Sequence, residues 1–318
     1  MKVASRPRRM FLALAAALWL CASVAVYAAP PHIALVMKSL ANPFFSAMAD
    51  GARNHAKLHA GDYTLMVEGI DNETDKAAQI RIVEDLVARK VDAIVIAPAD
   101  AIDLVPVIKK ASAAGIVIVN IDDKLDDRAL AEQGLNVPFV GPSNNKGAQM
   151  VGDYLGQQLR HGDKVAIIEG ITATTNALAR TAGFRQAMEN AEATVVAVRS
   201  GQWETTNAHQ VAAELLHQYP DLKALLCGND SMALGAVAAV HEAGRDGHVL
   251  VVGYDNIPTV RPLLVDGRIL ATAEQFAGQQ AVSGIELALK ALTAHTAQSA
   301  LPAIEQTPVK LITRDTLQ

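Results

Sequence analysis

The chain has 318 residues, with 28 basic and 33 acidic side chains and a formal net charge of −5. That balance argues against a nucleic-acid partner, which needs a basic face. A chain of this length can bury a large core and commonly divides into two domains.

Lys2, Arg6, Arg8 and Arg9 form a basic head, an apolar run covers residues 10–26, and small Ala28 and Ala29 precede Pro30 and Pro31. A charged head, a short apolar core and a small-residue exit describe a secretory signal peptide cleaved near Ala28. The apolar run of ~17 residues is at the short limit for spanning a bilayer. Cys21 follows bulky Leu20, which suits a lipoprotein-processing site poorly. Export leaves 24 basic against 33 acidic side chains, a net of −9, and Cys227 as the remaining cysteine. No internal disulfide can then form, even in an oxidising compartment, and stability must come from burial.

After the leader, a buried strand is expected over residues 32–37 and a helix over 42–59. A strand over 63–67 and a helix over 74–89 follow, with Thr74 as the helix cap. Strands over 91–96 and 115–121 continue the series. The rhythm restarts after residues 138–142, with strands over 164–168, 194–198, 222–226 and 248–252, each followed by a helical pattern. Alternating strands and helices imply right-handed βαβ units and a parallel sheet. Near-continuous apolar runs are what strands covered on both faces need. The expected fold class is α/β, with two doubly wound parallel-sheet lobes of about five strands each.

Open parallel sheets bind ligands beyond the carboxyl ends of their strands. Lys38, Asn42, Phe44 and Phe45 follow the first strand, and Asp122 and Asp123 follow the fourth. In the second half come Arg180, Trp203, Asn229, Asp230, Asp255 and Gln275. Carboxylates and amides bond hydroxyls directionally, and rings cover an apolar sugar face. Plainer roles exist beside these. Asn42 suits a helix N-cap, which is compatible with ligand contact. Phe44 and Phe45 lie about 100° apart on a helix, so both rarely bury on one core. Asp122 suits a strand-end turn, and Asp230 reads as a helix cap, leaving Asn229 the better contact. The nine histidines have no metal-ligand spacing, Cys227 reads as a small buried hydrophobe, and no phosphate-binding glycine loop occurs. Asp122, Asp255 and Glu169 are candidate acid–base groups, but nothing sets a nucleophile beside a base. Neither an enzyme nor a cofactor is expected.

Five motifs stand in order at the strand ends: Ala41-Asn42-Pro43-Phe44-Phe45, Ile121-Asp122, Arg180-Thr181-Ala182-Gly183-Phe184, the run from Asn229 to Gly235, and Val252-Gly253-Tyr254-Asp255. Together they resemble the periplasmic ribose-binding proteins of ABC sugar transporters, with the type I solute-binding fold, across essentially the whole exported chain. The resemblance implies three hinge crossings, near Pro142, Gln275 and Thr307-Pro308. A signal peptide over 1–28 would precede one lobe of residues 29–141 and 276–306 and another of 142–275 and 307–318. It implies that Asn42, Phe44 and Phe45 line the first lobe's side of the cleft, with Asp122 accepting from ring hydroxyls. From the second lobe, Arg180 would bind the sugar, Trp203 would supply an aromatic ring, and Asn229, Asp255 and Gln275 would complete the polar contacts.

Two positions depart from the ribose binders. Ala97 stands before Pro98 where they typically have asparagine, and Asp123 stands where they typically have arginine. The second change swaps a fork-shaped donor for an acceptor. The expectation is that Asp123 contacts the ligand and, with Lys38, takes the arginine's place. A ribose-like pentose is the first candidate ligand; another pentose, a polyol, a furanose or a signalling sugar are the alternatives. The implied partners are an ABC permease in the inner membrane and, if the protein serves chemotaxis, a chemoreceptor, with the chain acting as a periplasmic monomer. Sugar-responsive transcription regulators share the two-lobe fold but begin with a helix-turn-helix, where this chain has an export signal.

Overall fold

The computed structural model describes residues 29–172 and 174–317, so the expected signal peptide lies outside the described residues. Among the described residues, no helix is long and apolar enough to cross a membrane. The first half runs β1 (His32–Ser39), α1 (Pro43–Leu58), β2 (Thr64–Ile70), α2 (Lys76–Ala88), β3 (Ala93–Ile96), α3 (Val105–Ala113), β4 (Val117–Ile121), α4 (Asp127–Glu132) and β5 (Phe139–Gly141). The second runs α5 (Asn144–Gly156), β6 (Lys164–Glu169), α6 (Thr175–Asn190), β7 (Thr194–Ser200), α7 (Thr205–Gln218), β8 (Leu222–Cys227), α8 (Asp230–Glu242), β9 (Leu250–Val252), α9 (Arg261–Asp266) and β10 (Ala271–Glu274). Then α10 (Ala277–Thr293), β11 (Ile304–Gln306) and β12 (Lys310–Thr313) close the chain.

Two six-stranded sheets result, ordered β11-β5-β4-β3-β1-β2 and β12-β10-β9-β8-β6-β7. Every pairing is parallel except β10 with β12. The chain passes from one sheet to the other after β5, returns after β10, and leaves again after β11. Each sheet is therefore a doubly wound α/β lobe, as the alternating pattern implies. Six strands replace the expected five because β11 and β12 are short, and β11 (Ile-Glu-Gln) is exposed throughout. Such strands carry no apolar run to read.

Side-chain alternation splits each sheet between two cores. Ile33, Leu35 and Met37 of β1 face α1 and α10, while Ala34 and Val36 join Val83, Leu86 and Ile108 on the opposite face. In the second lobe Val165 and Ile167 pack with Phe184 and Met188, while Ala166 and Ile168 pack with Ala212 and Leu215. Helix α1 touches α10 where Gly51 meets the Gly278 backbone, a contact that a side chain on Gly51 would block.

Helix starts follow their caps. Asn42 Oδ1 accepts from Phe44 N at 3.0 Å and Pro43 opens α1, as expected. For α2 the cap is Asp75, whose Oδ1 accepts from Ala78 N at 2.9 Å, and not Thr74. The Thr74 hydroxyl and amide are both donated to Asn72 Oδ1, which closes a turn before the helix. A second correction concerns α8: Asn229 caps it through Met232 N (2.9 Å). Asp230 instead accepts from Thr272 Oγ1 at 2.7 Å and from Ile257 N at 3.0 Å, which ties the start of α8 to β10 and the loop after β9.

Candidate functional site

The carboxyl ends of both sheets face each other across a cleft. Its centre is a small pocket lined by Lys38, Asn42, Phe44, Phe45, Glu73 and Asp122 from the first lobe and by Asn176, Arg180, Trp203, Asn229, Asp255 and Gln275 from the second. Nine of the ten expected site residues meet there. Asp123 does not: it lies behind Lys38, fully buried, with its carboxylate 3.4 Å from Lys38 Nζ. Lys38 is thus the group that reaches the cavity, and Asp123 is the counter-ion behind it.

The first lobe presents Asp122 at the end of β4. Its backbone has φ of 63°, a left-handed conformation that asparagine and aspartate tolerate best among residues with a side chain. Asn120 shapes this corner: its amide nitrogen donates to Asp123 O at 2.8 Å and its oxygen accepts from Leu125 N at 2.8 Å. Both Asp122 carboxylate oxygens are buried and meet no protein donor. Burial pushes this carboxyl up to about 6, with Asp123 adding to the rise, against the lowering pull of Lys38 and Arg180. Glu73 rises to about 7 by burial, although Lys38 and the 2.6 Å bond from Asn42 Nδ2 oppose it. Burial alone would lower the Lys38 ammonium; Asp123, Glu73 and Asp122 outweigh it and hold it raised. Phe44 and Phe45 stand edge to face, with centroids 5.2 Å apart. Both belong to the core and both line the cavity.

The second lobe builds its wall around Arg180 on the second turn of α6. Nε donates to Asn144 Oδ1 at 2.8 Å and Nη1 to Gly228 O at 2.8 Å, with Asp255 Oδ1 at 3.5 Å. The guanidinium stacks 3.7 Å from the Tyr254 ring centroid and lies 5.5 Å from that of Trp203. Gly147 makes room for Tyr254, since a side chain there would strike its hydroxyl. Gln275 Nε2 donates to Asp255 Oδ1 at 2.6 Å. Burial drives the Asp255 carboxyl well up, with Arg180 pulling against it and Asp230 and Asp122 adding to the rise.

Trp203 is held with φ of 66° and only 3% exposed. Gly170 and Gly228, at the ends of β6 and β8, leave the space its indole fills; a methyl group on Gly170 would overlap the ring. Asn229 Nδ2 donates to Trp203 O at 3.3 Å, so this residue both caps α8 and fixes the tryptophan loop. The indole nitrogen meets no protein acceptor. Asp255 also has positive φ, at 115°. Strained backbone at Asp122, Trp203 and Asp255 is concentrated on the cavity wall, where such strain persists only if the surroundings over-determine it.

Glu73 and Asn176 were missed by the strand-end reading. Glu73 lies in the loop after β2, whose residues 71–75 (Asp-Asn-Glu-Thr-Asp) read as an ordinary polar turn. Asn176 follows the poorly patterned start of α6. Its amide oxygen is buried without a protein donor. The signal for both was available only from counting every loop at the carboxyl edge.

The arrangement has acceptors without donors (Asp122, Asn176), donors fixed in place (Arg180, Lys38), a partnerless indole N–H and aromatic faces. It has no nucleophile aligned with a base. These are the means to hold a small, hydroxyl-rich molecule between two lobes.

A two-lobe α/β clamp with its site between the lobes defines the class of periplasmic binding proteins. The sequence matches the periplasmic binding protein domain over residues 33–296, and the chain belongs to that family. It is 56% identical over 283 residues to the D-ribose/D-allose-binding protein of Pseudomonas aeruginosa, covering 89% of each chain. Among solved structures, it is 56% identical to an ABC transporter solute-binding protein from Burkholderia multivorans, whose unknown ligand is represented as α-D-erythrofuranose. The TM-score is 0.88, over 90% of this chain and all of that one. A periplasmic solute-binding protein from Actinobacillus succinogenes with bound D-allose is 34% identical, with a TM-score of 0.84 over 90% of this chain and 98% of that one.

Proposed function

We propose that this chain is the sugar-capturing component of an ABC importer, that it works in the periplasm after removal of residues 1–28, and that it delivers one ribose- or allose-sized sugar to an inner-membrane permease. The observation that carries the reading is the pocket between the lobes, where the Asp122 carboxylate, the Asn176 amide oxygen and the Trp203 indole N–H are buried without protein partners beside three aromatic rings. In this reading Asp122 and Asp255 accept from ring hydroxyls, Arg180 and Lys38 donate, and Phe44, Phe45 and Trp203 cover the ring's C–H faces. Asn42, Asn229 and Gln275 hold these groups and complete the polar lining.

The lobes of residues 29–141 with 276–306 and 142–275 with 307–318 move as rigid bodies about the three crossings. The sugar favours the closed form because it touches both. The relative at 56% identity is named for both D-ribose and D-allose, which supports either as the ligand.

Calorimetric titration of the exported chain with D-ribose, D-allose, D-xylose, D-glucose and myo-inositol tests this. Micromolar or tighter binding of ribose or allose at one site per chain is expected. Preference for inositol, or no binding of any of the five, would overturn the sugar assignment.

A further inference from the structure

Helix α6 lacks a cap of its own. Its N-cap residue, Thr174, makes no capping bond, because the Thr174 hydroxyl donates to Ile171 O at 2.7 Å. The helix start is buried all the same: Thr174 is fully covered and Asn176 nearly so. A buried helix start needs acceptors for its free N–H groups.

The other lobe supplies one. Asp123 Oδ1, at the end of β4, accepts from Asn176 N at 3.0 Å and from Thr175 Oγ1 at 2.8 Å, and the same hydroxyl lies 2.8 Å from Lys124 O. The carboxylate's other oxygen faces Lys38 Nζ at 3.4 Å. One aspartate therefore joins three things: the first lobe's cavity-facing lysine, the start of α6, and the closed position of that helix.

We propose that Asp123 is a positioning residue that caps α6 across the cleft and sets the closed state, and is not a sugar contact. Opening separates Asp123 from α6, so its capping bonds exist only in the closed form. The negative carboxylate also sits at the positive end of the helix dipole, which favours the same approach. Because Lys38 is held by the same carboxylate, closure fixes the lysine where the cavity needs it. The proposal rests on the reading of the cavity as a ligand clamp, but its first readout needs no ligand.

The test uses Thr175→Val, Asp123→Ala and the double variant. Thr175 lies outside the cavity lining, and valine keeps its shape while removing the hydroxyl. Distances between one spin label on each lobe, measured by double electron–electron resonance, report the closed fraction without sugar. Calorimetry reports affinity for D-ribose and D-allose. Thr175→Val is expected to lower the closed-to-open ratio and both affinities by one common factor of about fivefold, the size of a typical hydrogen bond. Asp123→Ala lowers them by about tenfold or more, and adding Thr175→Val to it has a smaller effect than Thr175→Val alone, limited to the hydroxyl's remaining contact with Lys124 O. An unchanged closed fraction in Thr175→Val overturns the proposal. So does a Thr175→Val variant that alters the ribose-to-allose preference, since its side chain reaches only the cross-lobe bonds. If Asp123→Ala fails to fold, Thr175→Val alone decides. If neither sugar binds the native chain but the closed fraction still shifts, the cross-lobe cap stands and the sugar reading falls.

Discussion

The two walls of the cavity are built on different principles. In the second lobe, the charged groups and the tryptophan loop are tied within their own lobe: Arg180 to Asn144, Gly228 and Asp255, Asp255 to Gln275, and Asn229 to Met232 and Trp203, while the Asn176 amide oxygen and the Trp203 indole N–H meet no protein partner. In the first lobe, Asp122 has no protein partner and Asp123 finds two of its partners only across the cleft. The second lobe's charged groups are thus pre-organised by bonds that do not cross the cleft. The first lobe depends on bonds across the cleft and, in the proposed function, on the ligand. Pre-organisation lowers the entropy lost on binding; an incomplete wall makes closure depend on the ligand.

The largest effect should come from breaking the pre-organised side. Arg180→Ala leaves Asp255 buried without its cation, and affinity should fall by at least about 100-fold, with thermal stability falling too. Arg180→Lys should not restore binding, because a point charge cannot reproduce the bonds to Asn144 and Gly228 while stacking on Tyr254. Calorimetry and thermal melts check both. Retained affinity in Arg180→Lys would mean that charge, and not the fork, matters on this wall.

On the first lobe the two effects should part company. Asp122→Asn should weaken sugar binding by about 30-fold, the loss of a charge-assisted hydrogen bond. It should also raise the melting temperature of the sugar-free protein, because it removes a buried carboxylate without a partner. A lower sugar-free melting temperature would show that Asp122 is satisfied within the protein after all.

Gly170→Ala probes the aromatic edge between the two. The added methyl group pushes Trp203 from its seat, and affinity should fall by about tenfold with little change in secondary structure. Circular dichroism and titration measure the two parts.

The smallest effect is the pH dependence of the sugar-free protein. Burial raises Glu73 from 4.5 to about 7 and Asp122 from 3.8 to about 6. A carboxyl whose folded value is raised contributes stability that is full below its unfolded value and lost as pH rises through its folded value. The melting temperature without sugar should therefore decline between pH 4 and 7. Glu73→Gln should flatten the upper part of that decline. A melting temperature that rises over this window would show the opposite sign and remove Glu73 as a buried neutral acid.

Most of the fold was legible in the sequence because its strands are covered on both faces. Runs such as residues 32–37 and 164–168 have no polar alternation and fit little else. The short, exposed β11 had no such signal, and Thr74 against Asp75 turned on a local competition with Asn72 for the threonine hydroxyl. At the site, Asn42, Arg180, Trp203 and Asp255 were legible because each follows a strand at its carboxyl end. Asp123 shared that position, yet the left-handed turn at Asp122 sends the two neighbours different ways, one into the cavity and one toward α6. Glu73 and Asn176 reach the cavity from loops whose composition is that of any polar turn, so only three-dimensional proximity identifies them.

The central claim is that one small sugar is held in this cavity by both lobes. Trp203 is the sole tryptophan beyond residue 28, so its fluorescence during titration with D-ribose and D-allose reads the cavity itself. The account requires a saturable change for at least one of them, fitting one site, with each sugar that binds displacing the other. Calorimetric binding of either sugar with no change at Trp203 would place the ligand elsewhere and contradict it.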